Sequence, residues 1–548
     1  MAPTYLLSFL FGLAATSAIQ RRQDATHLGA PLCAANSRKI MSNSSDPNLW
    51  PWQEYQSSDA QPPQLLTNST GEPLFDGFLV MATMSSTRPP AVRQQSPLIM
   101  SDTGELVWSG PIQLTSDFRV QSFDGSPVLT YFTGEGTTGA EGVVGHGYGG
   151  FTLLDTRYNE IARVCPIFDG FTMEPGVSAI CHADPHESFI THRNTMLLTA
   201  YNATQADLTS LGGPHDGWVS DSLVAEVNIN TGEVLFTWSP LAHVPLNRTH
   251  LPLGNFGQNQ STPFDFFHVN SIQLVGENYL INARNYWSTY LVSPEGEIIW
   301  EINGGDGGDF GALPEGGSFA WEHDAQVREI DSSHAVFSCF ANNNFLPTRP
   351  DSQPSFAVAL SLSLPPDPLS PPVLLSNMSN PGHRLDAWSQ GAFSQLPNGN
   401  NLVAYGSEPV VMEYGPLDST NPEGHVHWTG TFGYPGLVSS YRVFKQQWHA
   451  TPATQPSLVV LRASSEVDLP CAINSTHIGY VSWNGATDVT DWVVYAGATE
   501  NSLEMVGHAK KAGFETQFAV PSDAAFIQVG AVEKKGKEVI RRSEVVAV

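Results

Sequence analysis

One hairpin, repeated along the chain, constrains its fold more than any other feature. Ser101-Asp102-Thr103-Gly104-Glu105-Leu106-Val107-Trp108, Asn230-Thr231-Gly232-Glu233-Val234-Leu235-Phe236-Thr237-Trp238, Ser293-Pro294-Glu295-Gly296-Glu297-Ile298-Ile299-Trp300 and Glu423-Gly424-His425-Val426-His427-Trp428 each set a glycine turn before a strand that ends on tryptophan. Leu154 to Ile161 is a degenerate copy, and Ala357 to Leu375 has room for another. A glycine turn between two short apolar runs is a hairpin signal, and helical periodicity is nearly absent.

A second hairpin alternates with the first, turning at Asp124-Gly125, Arg193-Asn194, Gly276-Glu277-Asn278, Asp331-Ser332-Ser333 and Pro397-Asn398-Gly399-Asn400. Two hairpins make a four-stranded sheet, and the unit recurs every fifty to seventy-five residues. One twisted sheet of that size leaves both faces wet, whereas sheets stacked around an axis cover one another and leave no long open edge. The chain is therefore expected to be all-β, with a six-bladed β-propeller over residues 75–450. From about Pro456 the spacing changes to strands near 458–461, 478–483, 491–495 and 525–529 with tryptophans among them. That pattern predicts a small fibronectin III or immunoglobulin-like β-sandwich over 456–548.

At the other end, residues 1–18 hold an apolar run too short to span a bilayer, followed by small residues, which reads as a secretory signal peptide. Arg21-Arg22 could be a dibasic processing site, and residues 19–74 are expected to pack on the propeller. Asn-x-Ser/Thr sequons at Asn43, Asn68, Asn202, Asn247, Asn259, Asn377 and Asn474 fit a glycoprotein that is secreted or held in the secretory lumen. Five cysteines leave at least one unpaired within the chain. Cys165 and Cys181 flank one short connection and are the expected disulfide, while Cys339 sits in an apolar strand as a buried small residue.

The net charge of −28 comes from scarce Lys and Arg, since only 14% of residues are charged. This argues against nucleic acid and anionic membrane as partners, and it draws attention to individual Arg and His residues that could hold an anion. A monomer acting on a small aromatic molecule, with no cofactor, is expected.

Counting back from the second-hairpin turns puts His186, His268, His323 and Gln390 at equivalent places on the first strands, which in a propeller line the axial channel. A lone histidine on such a strand is ordinarily a hydrogen-bonded structural residue. Three at matched positions point to acid/base or nucleophilic chemistry, with His268 and His323 as the catalytic pair. Strand alternation adds Ser188, Asn270 and Ala325 to the same face. Arg284, Arg349, Arg384 and Arg442 are the candidate positive charges, with Arg384 and Arg442, together with His186, Asn270 and Gln390, assigned to substrate binding.

Other motifs carry less. His182-x-Asp184-x-His186 has metal-ligand spacing but is interrupted by Pro185, so no metal is expected. Gly145 to Gly150 fits G-x-G-x-x-G but leads into a strand rather than a helix, and reads as a loop; Gly304 to Asp309 reads as an inter-strand crossing. No G-x-S-x-G, H-E-x-x-H or Walker loop is present.

Taken together, Asp184-Pro185-His186-Glu187, Phe267-His268-Val269-Asn270-Ser271-Ile272, Ile299-Trp300-Glu301-Ile302-Asn303-Gly304-Gly305, Trp321-Glu322-His323-Asp324-Ala325, Gln390-Gly391 with Asn398-Gly399-Asn400, and Ser440-Tyr441-Arg442-Val443-Phe444-Lys445 resemble the fungal branch of the arylsulfotransferase family. The resemblance spans about residues 75–450. It implies a six-bladed propeller with an axial site, and, as in bacterial members, sulfuryl transfer between phenols through a sulfated histidine and without a nucleotide donor. The family's covalent histidine has no counterpart at Trp388-Ser389-Gln390, and Phe340-Ala341-Asn342-Asn343 lacks the family's acid. By resemblance, His268 and His323 hold the sulfuryl oxygens or shuttle the phenol proton. Two functions follow: sulfuryl transfer, or acid/base chemistry on an aromatic secondary metabolite. A non-enzymatic secreted propeller that binds glycan or protein is the alternative.

Overall fold

The glycine of each repeated turn takes up the left-handed backbone that the turn needs: φ is 80° at Gly104, 74° at Gly232, 89° at Gly296 and 67° at Gly424. In the degenerate copy the same conformation falls on Tyr158, at φ 63°. The computed structural model describes residues 28–137, 145–345, 353–463, 469, 471, 475–534 and 538–548. The expected signal segment, Arg21-Arg22, Arg349 and Asn474 lie outside these residues.

The hairpins assemble into successive antiparallel sheets. Four follow chain order: Thr115–Phe123 to Glu160–Val164, Ser188–Ile190 to Val234–Trp238, Val269–Val275 to Ile298–Asn303, and His323–Ile330 to Val373–Met378. The next, Ala392–Gln395 to Val426–Thr431, takes Leu66–Ser69 as a fifth strand. One more sheet is built from both ends, with Val443–Gln446 pairing Phe78–Ala82 ahead of Pro97–Met100 and Leu106–Ser109. The all-β expectation and its hairpin positions hold, and the arrangement is propeller-like.

The first strands are joined in a circuit by side chains that grip neighbouring backbone. Gln121 accepts from Ile190 N at 2.7 Å, Glu187 from Ile272 N at 3.3 Å, Ser271 from Ala325 N at 3.1 Å, and Asp324 from Phe393 N at 2.9 Å. Gly391 N then reaches Tyr441 O at 2.9 Å, and Gln446 both accepts from and donates to Val120, returning to the start. At the rim the repeat's terminal tryptophans reach the next turn. Trp238 Nε1 donates to Gly296 O at 3.1 Å, Trp428 Nε1 donates to Asp102 O at 3.0 Å, and Trp108 stacks on Tyr158 with ring centres 5.0 Å apart. Between the sheets lie apolar clusters such as Leu197, Val219, Phe267, Ile281 and Tyr290, all buried.

Two further sheets share one core. Ala34–Asn36, Glu515–Ala519, His477–Ser482 and Ser457–Arg462 face a sheet formed from Val489–Gly497, Glu504–Lys510, Phe526–Glu533 and Val539–Arg542 over Val481, Trp492, Phe518 and Ile527. The N-terminal segment therefore divides its contacts: Leu66–Ser69 extends a repeat sheet, while Ala34–Asn36 extends the C-terminal one. The buried Glu515 carboxylate secures the junction by accepting from Ser37 Oγ and Gln56 N. Cys33–Cys471 reinforces it covalently, a pairing the spacing did not suggest; the expected Cys165–Cys181 bond also forms, and Cys339 is free and buried. Among the described residues no helix is long and apolar enough to cross a membrane. Of the sequons, Asn68, Asn247 and Asn259 are exposed, while Asn43, Asn202 and Asn377 are partly buried.

Candidate functional site

Left-handed residues introduce several first strands: Asp117 at φ 47°, His268 at 58°, Asp324 at 54° and Gln390 at 64°. Such a backbone costs a non-glycine residue about 1–2 kcal/mol, so the surrounding contacts must hold it. It also breaks alternation, and pairing slips between Val269 and Ser271 and between His323 and Gln326. Ser188, Asn270 and Ala325 therefore do not form the second row of a common face. Asn270 is engaged in ties, donating Nδ2 to Glu322 O at 2.7 Å and accepting from Asn282 Nδ2 at 2.8 Å, which fixes its amide between neighbouring strands.

The histidines do converge. The His186 and His268 rings lie 4.8 Å apart, edge to face, and Tyr441 bridges to the third, 5.6 Å from His186 and 6.3 Å from His323. His146 joins them, 6.2 Å from His268 and stacked on Tyr201 at 4.4 Å. It comes from the glycine-rich stretch read as a loop, which is instead the strand His146–Leu154. The glycines serve close backbone approach: a Cβ at Gly149 would lie 2.3 Å from Thr133 O, and Gly147 N donates to Asp184 Oδ2 at 3.0 Å.

The four imidazoles differ in what their nitrogens do. His186 Nδ1 donates to Asp184 Oδ1 at 2.5 Å. His323 is saturated, with Nδ1 on Asn342 Oδ1 at 2.7 Å and Nε2 accepting from Gln390 N at 3.1 Å, which fixes its tautomer. His268 places Nδ1 on Asp265 Oδ2 and leaves Nε2 buried with no partner. Burial, reinforced by the His186 and Arg284 charges, holds the His268 imidazole well below its ordinary range, so it is neutral; His323 is lowered for the same reasons, burial first. Burial lifts Asp265 to about 6, against the nearby His146, His186 and Arg284.

The positive charges sort in an unexpected way. Arg384 is a surface residue, its side chain 41% exposed and paired with Asp386 at 2.7 Å, away from the histidines. Arg442 is fully buried but already engaged: it meets Glu187 at 3.2 Å and Asp117 at 3.3 Å and donates to Asn270 O at 3.0 Å, with Arg119 completing the network on Glu187. Burial alone would raise the Glu187 carboxyl, and Arg119 and Arg442 overcome it and hold it low. Arg442 is thus the floor beneath the site rather than a clamp within it.

Arg284 is the cation with capacity to spare. Its guanidinium is buried, donates only to the neutral Asn285 Oδ1 at 3.0 Å and Trp388 O at 3.2 Å, and keeps Nε without a partner. No carboxylate among the described residues lies within ion-pair distance of it. Burial lowers it to about 10, and lifts the nearby Glu322 carboxyl to about 8. The guanidinium sits 5.1 Å from the Trp321 ring centre, and Trp321 packs edge-on against Trp287 at 5.5 Å. Trp287, which His250 stacks on at 3.5 Å, lines a cavity of about 230 Å³ with Phe319, Asn343 and the Gly304-Gly305 crossing.

Gln390 joins this neighbourhood through its backbone, and its Oε1 is buried without a partner. His182, the outer member of the H-x-D-x-H pattern, turns away, stacking on Phe171 and accepting from Phe168 N at 3.0 Å. A cavity of about 610 Å³ opens at the far ends of the first strands around Gln326, Arg328, Gln395 and Gln446 and touches none of the histidines.

A sequence profile of the arylsulfotransferase (ASST) family matches residues 119–433. No curated protein matches the chain. Among solved structures, a protein of unknown function from Bacteroides caccae shares 12% identity with a TM-score of 0.36, covering 68% of this chain and 99% of its own. The GH43 protein BlXynB of Bacillus licheniformis shares 8% with a TM-score of 0.28, covering 77% and 85%. The α-L-arabinofuranosidase arb93a of Fusarium graminearum shares 10% with a TM-score of 0.29, covering 67% and 87%. Likenesses this low bear on no reaction. The family match, by contrast, runs from the first strand that carries Arg119 past every clustered histidine to the end of the 392–431 sheet, and on that span this chain belongs to the arylsulfotransferase family.

Proposed function

We propose that this chain is an exported enzyme that moves a sulfuryl group between phenolic oxygens at the His268–Arg284 site. The scaffold is read as a six-bladed propeller, its last blade closed by Phe78–Ala82 on Val443–Gln446, with a C-terminal sandwich attached by Cys33–Cys471. One observation carries the reading: His268 has its Nδ1 proton held by Asp265 and its Nε2 without a partner, and it adjoins Arg284, whose backbone N–H donates to His268 O at 3.1 Å and whose guanidinium has no carboxylate within ion-pair distance among the described residues.

In that arrangement the Nε2 lone pair attacks the sulfur of an aryl sulfate. The S–N bond forms as the S–O(aryl) bond breaks, and the aryl oxygen leaves as phenolate. Asp265 stabilises the positive charge that the sulfated imidazole acquires, as a carboxylate behind a nucleophilic histidine does. Arg284 matches the negative charge on the transferring group, and Trp321 and Trp287 offer ring faces to the aromatic part. The acceptor phenol then takes sulfur from Nε2, its proton passing to the departed phenolate, which restores the neutral imidazole. His323, with both nitrogens engaged, positions the Gln390 segment.

The test is p-nitrophenyl sulfate with a phenol acceptor. Acceptor-dependent nitrophenol release that His268→Ala abolishes is expected; no release by the wild type overturns the reading. The second reading, a module that holds a glycan without turnover, draws on the 610 Å³ cavity remote from the histidines. It predicts saturable binding untouched by His268→Ala.

A further inference from the structure

We propose that His146, Asp265 and His268 form a site for one transition-metal dication of the zinc class. Each residue offers a ligand atom, and the three atoms lie within 4.8 Å of one another. The residues come from separate places, His146 opening the strand His146–Leu154 and the other two preceding Val269–Val275, so the cluster is a product of the fold. All three are buried, at 5%, 3% and 0% exposure.

The donors are more than close. His268 Nε2 and Asp265 Oδ1 are both buried, and neither has a hydrogen-bond partner. A polar atom left so costs about 1–3 kcal/mol, so each of these residues keeps an unmet demand beside the cluster. Glu174 Oε1, from the connection that follows the same sheet, stands 3.6 Å from His146 Nε2 at the edge of the group.

The donor set selects the metal. Two imidazoles with carboxylate suit zinc and its borderline neighbours, whereas calcium and magnesium take all-oxygen shells. Ligand atoms about 2.0–2.1 Å from a tetrahedral ion are roughly 3.4 Å apart, so the cluster has to draw in by side-chain rotation alone. Asp184, which holds His186 beside His268, braces the ring from behind. The same imidazole carries the sulfuryl group in the proposed reaction, so a bound dication and a sulfated His268 exclude each other. The metal site itself stands on the geometry and not on that reaction.

Untagged full-length protein, stripped with chelator, is titrated with ZnCl₂ by calorimetry and with Co²⁺ by visible absorption. One equivalent of Zn²⁺ per chain and the intense absorption of four- or five-coordinate Co²⁺ are expected, with affinity at least tenfold weaker in His146→Gln and in Asp265→Asn. No stoichiometric uptake by the wild type, or a Co²⁺ spectrum no different from that of the free aqueous ion, overturns the site even if the variants fail to fold. Equal affinity in a folded His146→Gln also overturns it. A parallel assay with p-nitrophenyl sulfate separates the two proposals: uptake without turnover sinks the transferase reading alone, and turnover without uptake sinks the metal site alone. Where both hold, Zn²⁺ suppresses turnover with the midpoint of the binding curve.

Discussion

The backbone N–H of Gln390 ends on Nε2 of His323, 3.1 Å away, while Asn342 takes the proton on Nδ1. Both nitrogens are therefore structural, in contrast with His268. His323→Ala leaves a backbone donor and an amide oxygen buried without partners and is expected to cost about 1–3 kcal/mol of stability. His268→Ala also costs stability, since it leaves Asp265 Oδ2 buried without its partner, but it is expected to lower turnover roughly a thousandfold or more, whereas folded His323→Ala keeps most of its turnover. Denaturation and p-nitrophenyl sulfate kinetics on the two variants distinguish the roles, and the opposite pattern would show that they are exchanged.

Arg284 is expected to act on the transferring group. Arg284→Met should reduce turnover by about a hundredfold, the order seen when one donor to a developing charge is removed. Arg384→Met, which disrupts a surface pair with Asp386 and a bond to Gln353 O, should leave the rate unchanged. Steady-state kinetics on both variants checks this, and equal losses would speak against the assignment.

Glu322 makes stability depend on pH. Burial lifts its carboxyl from an ordinary 4.5 to about 8, so the folded chain keeps a proton that the unfolded chain releases. The contribution is full below the unfolded value and is lost as pH rises to about 8, at up to about 1.4 kcal/mol per pH unit. Glu322→Gln removes this dependence. Its melting temperature relative to wild type should therefore rise between pH 5 and pH 8, and a constant difference across that range would refute the prediction.

The two disulfides should differ in worth. Cys33–Cys471 closes a separation of 438 residues and Cys165–Cys181 one of 16. If loop closure in the unfolded chain governs, the short bond contributes about 3 kcal/mol and the long one more. Serine pairs at each position, compared by denaturant midpoint, give the order. Loss of the long bond should also expose the segment around Ala34–Asn36 to proteolysis, since that strand is held to the C-terminal sheet beside it.

The hairpins were legible because their turns demand a left-handed residue at a fixed place, and glycine marks it in the chain. Tyr158 shows the limit: the fold keeps the conformation without the glycine and stabilises it by burying the ring between Trp108 and Trp448. His186, His268 and His323 were legible for the same reason, since counting from turns finds equivalent strand ends. His146 was not, because it starts a third strand, and only the twelve-residue strand Ser126–Thr137 carries that edge up to the cluster. Asp265 escaped notice since a residue three positions before His268 meets it only when His268 adopts positive φ. Arg442 looked like an anion clamp because its partners Asp117, Glu187 and Asp324 belong to three other sheets, and nothing local announces them.

The strand Val443–Gln446 lies on Phe78–Ala82, so a strand near the start of the chain waits for one far along it. During synthesis, several hundred residues must emerge before this edge is covered. A chain stopped prematurely near residue 440 would present Phe78–Ala82, buried along most of its length in the finished protein, as an open apolar template for pairing with other chains. Cellular quality control would meet this protein chiefly with that edge uncovered, and its yield would be limited by the time the nascent chain spends in that state.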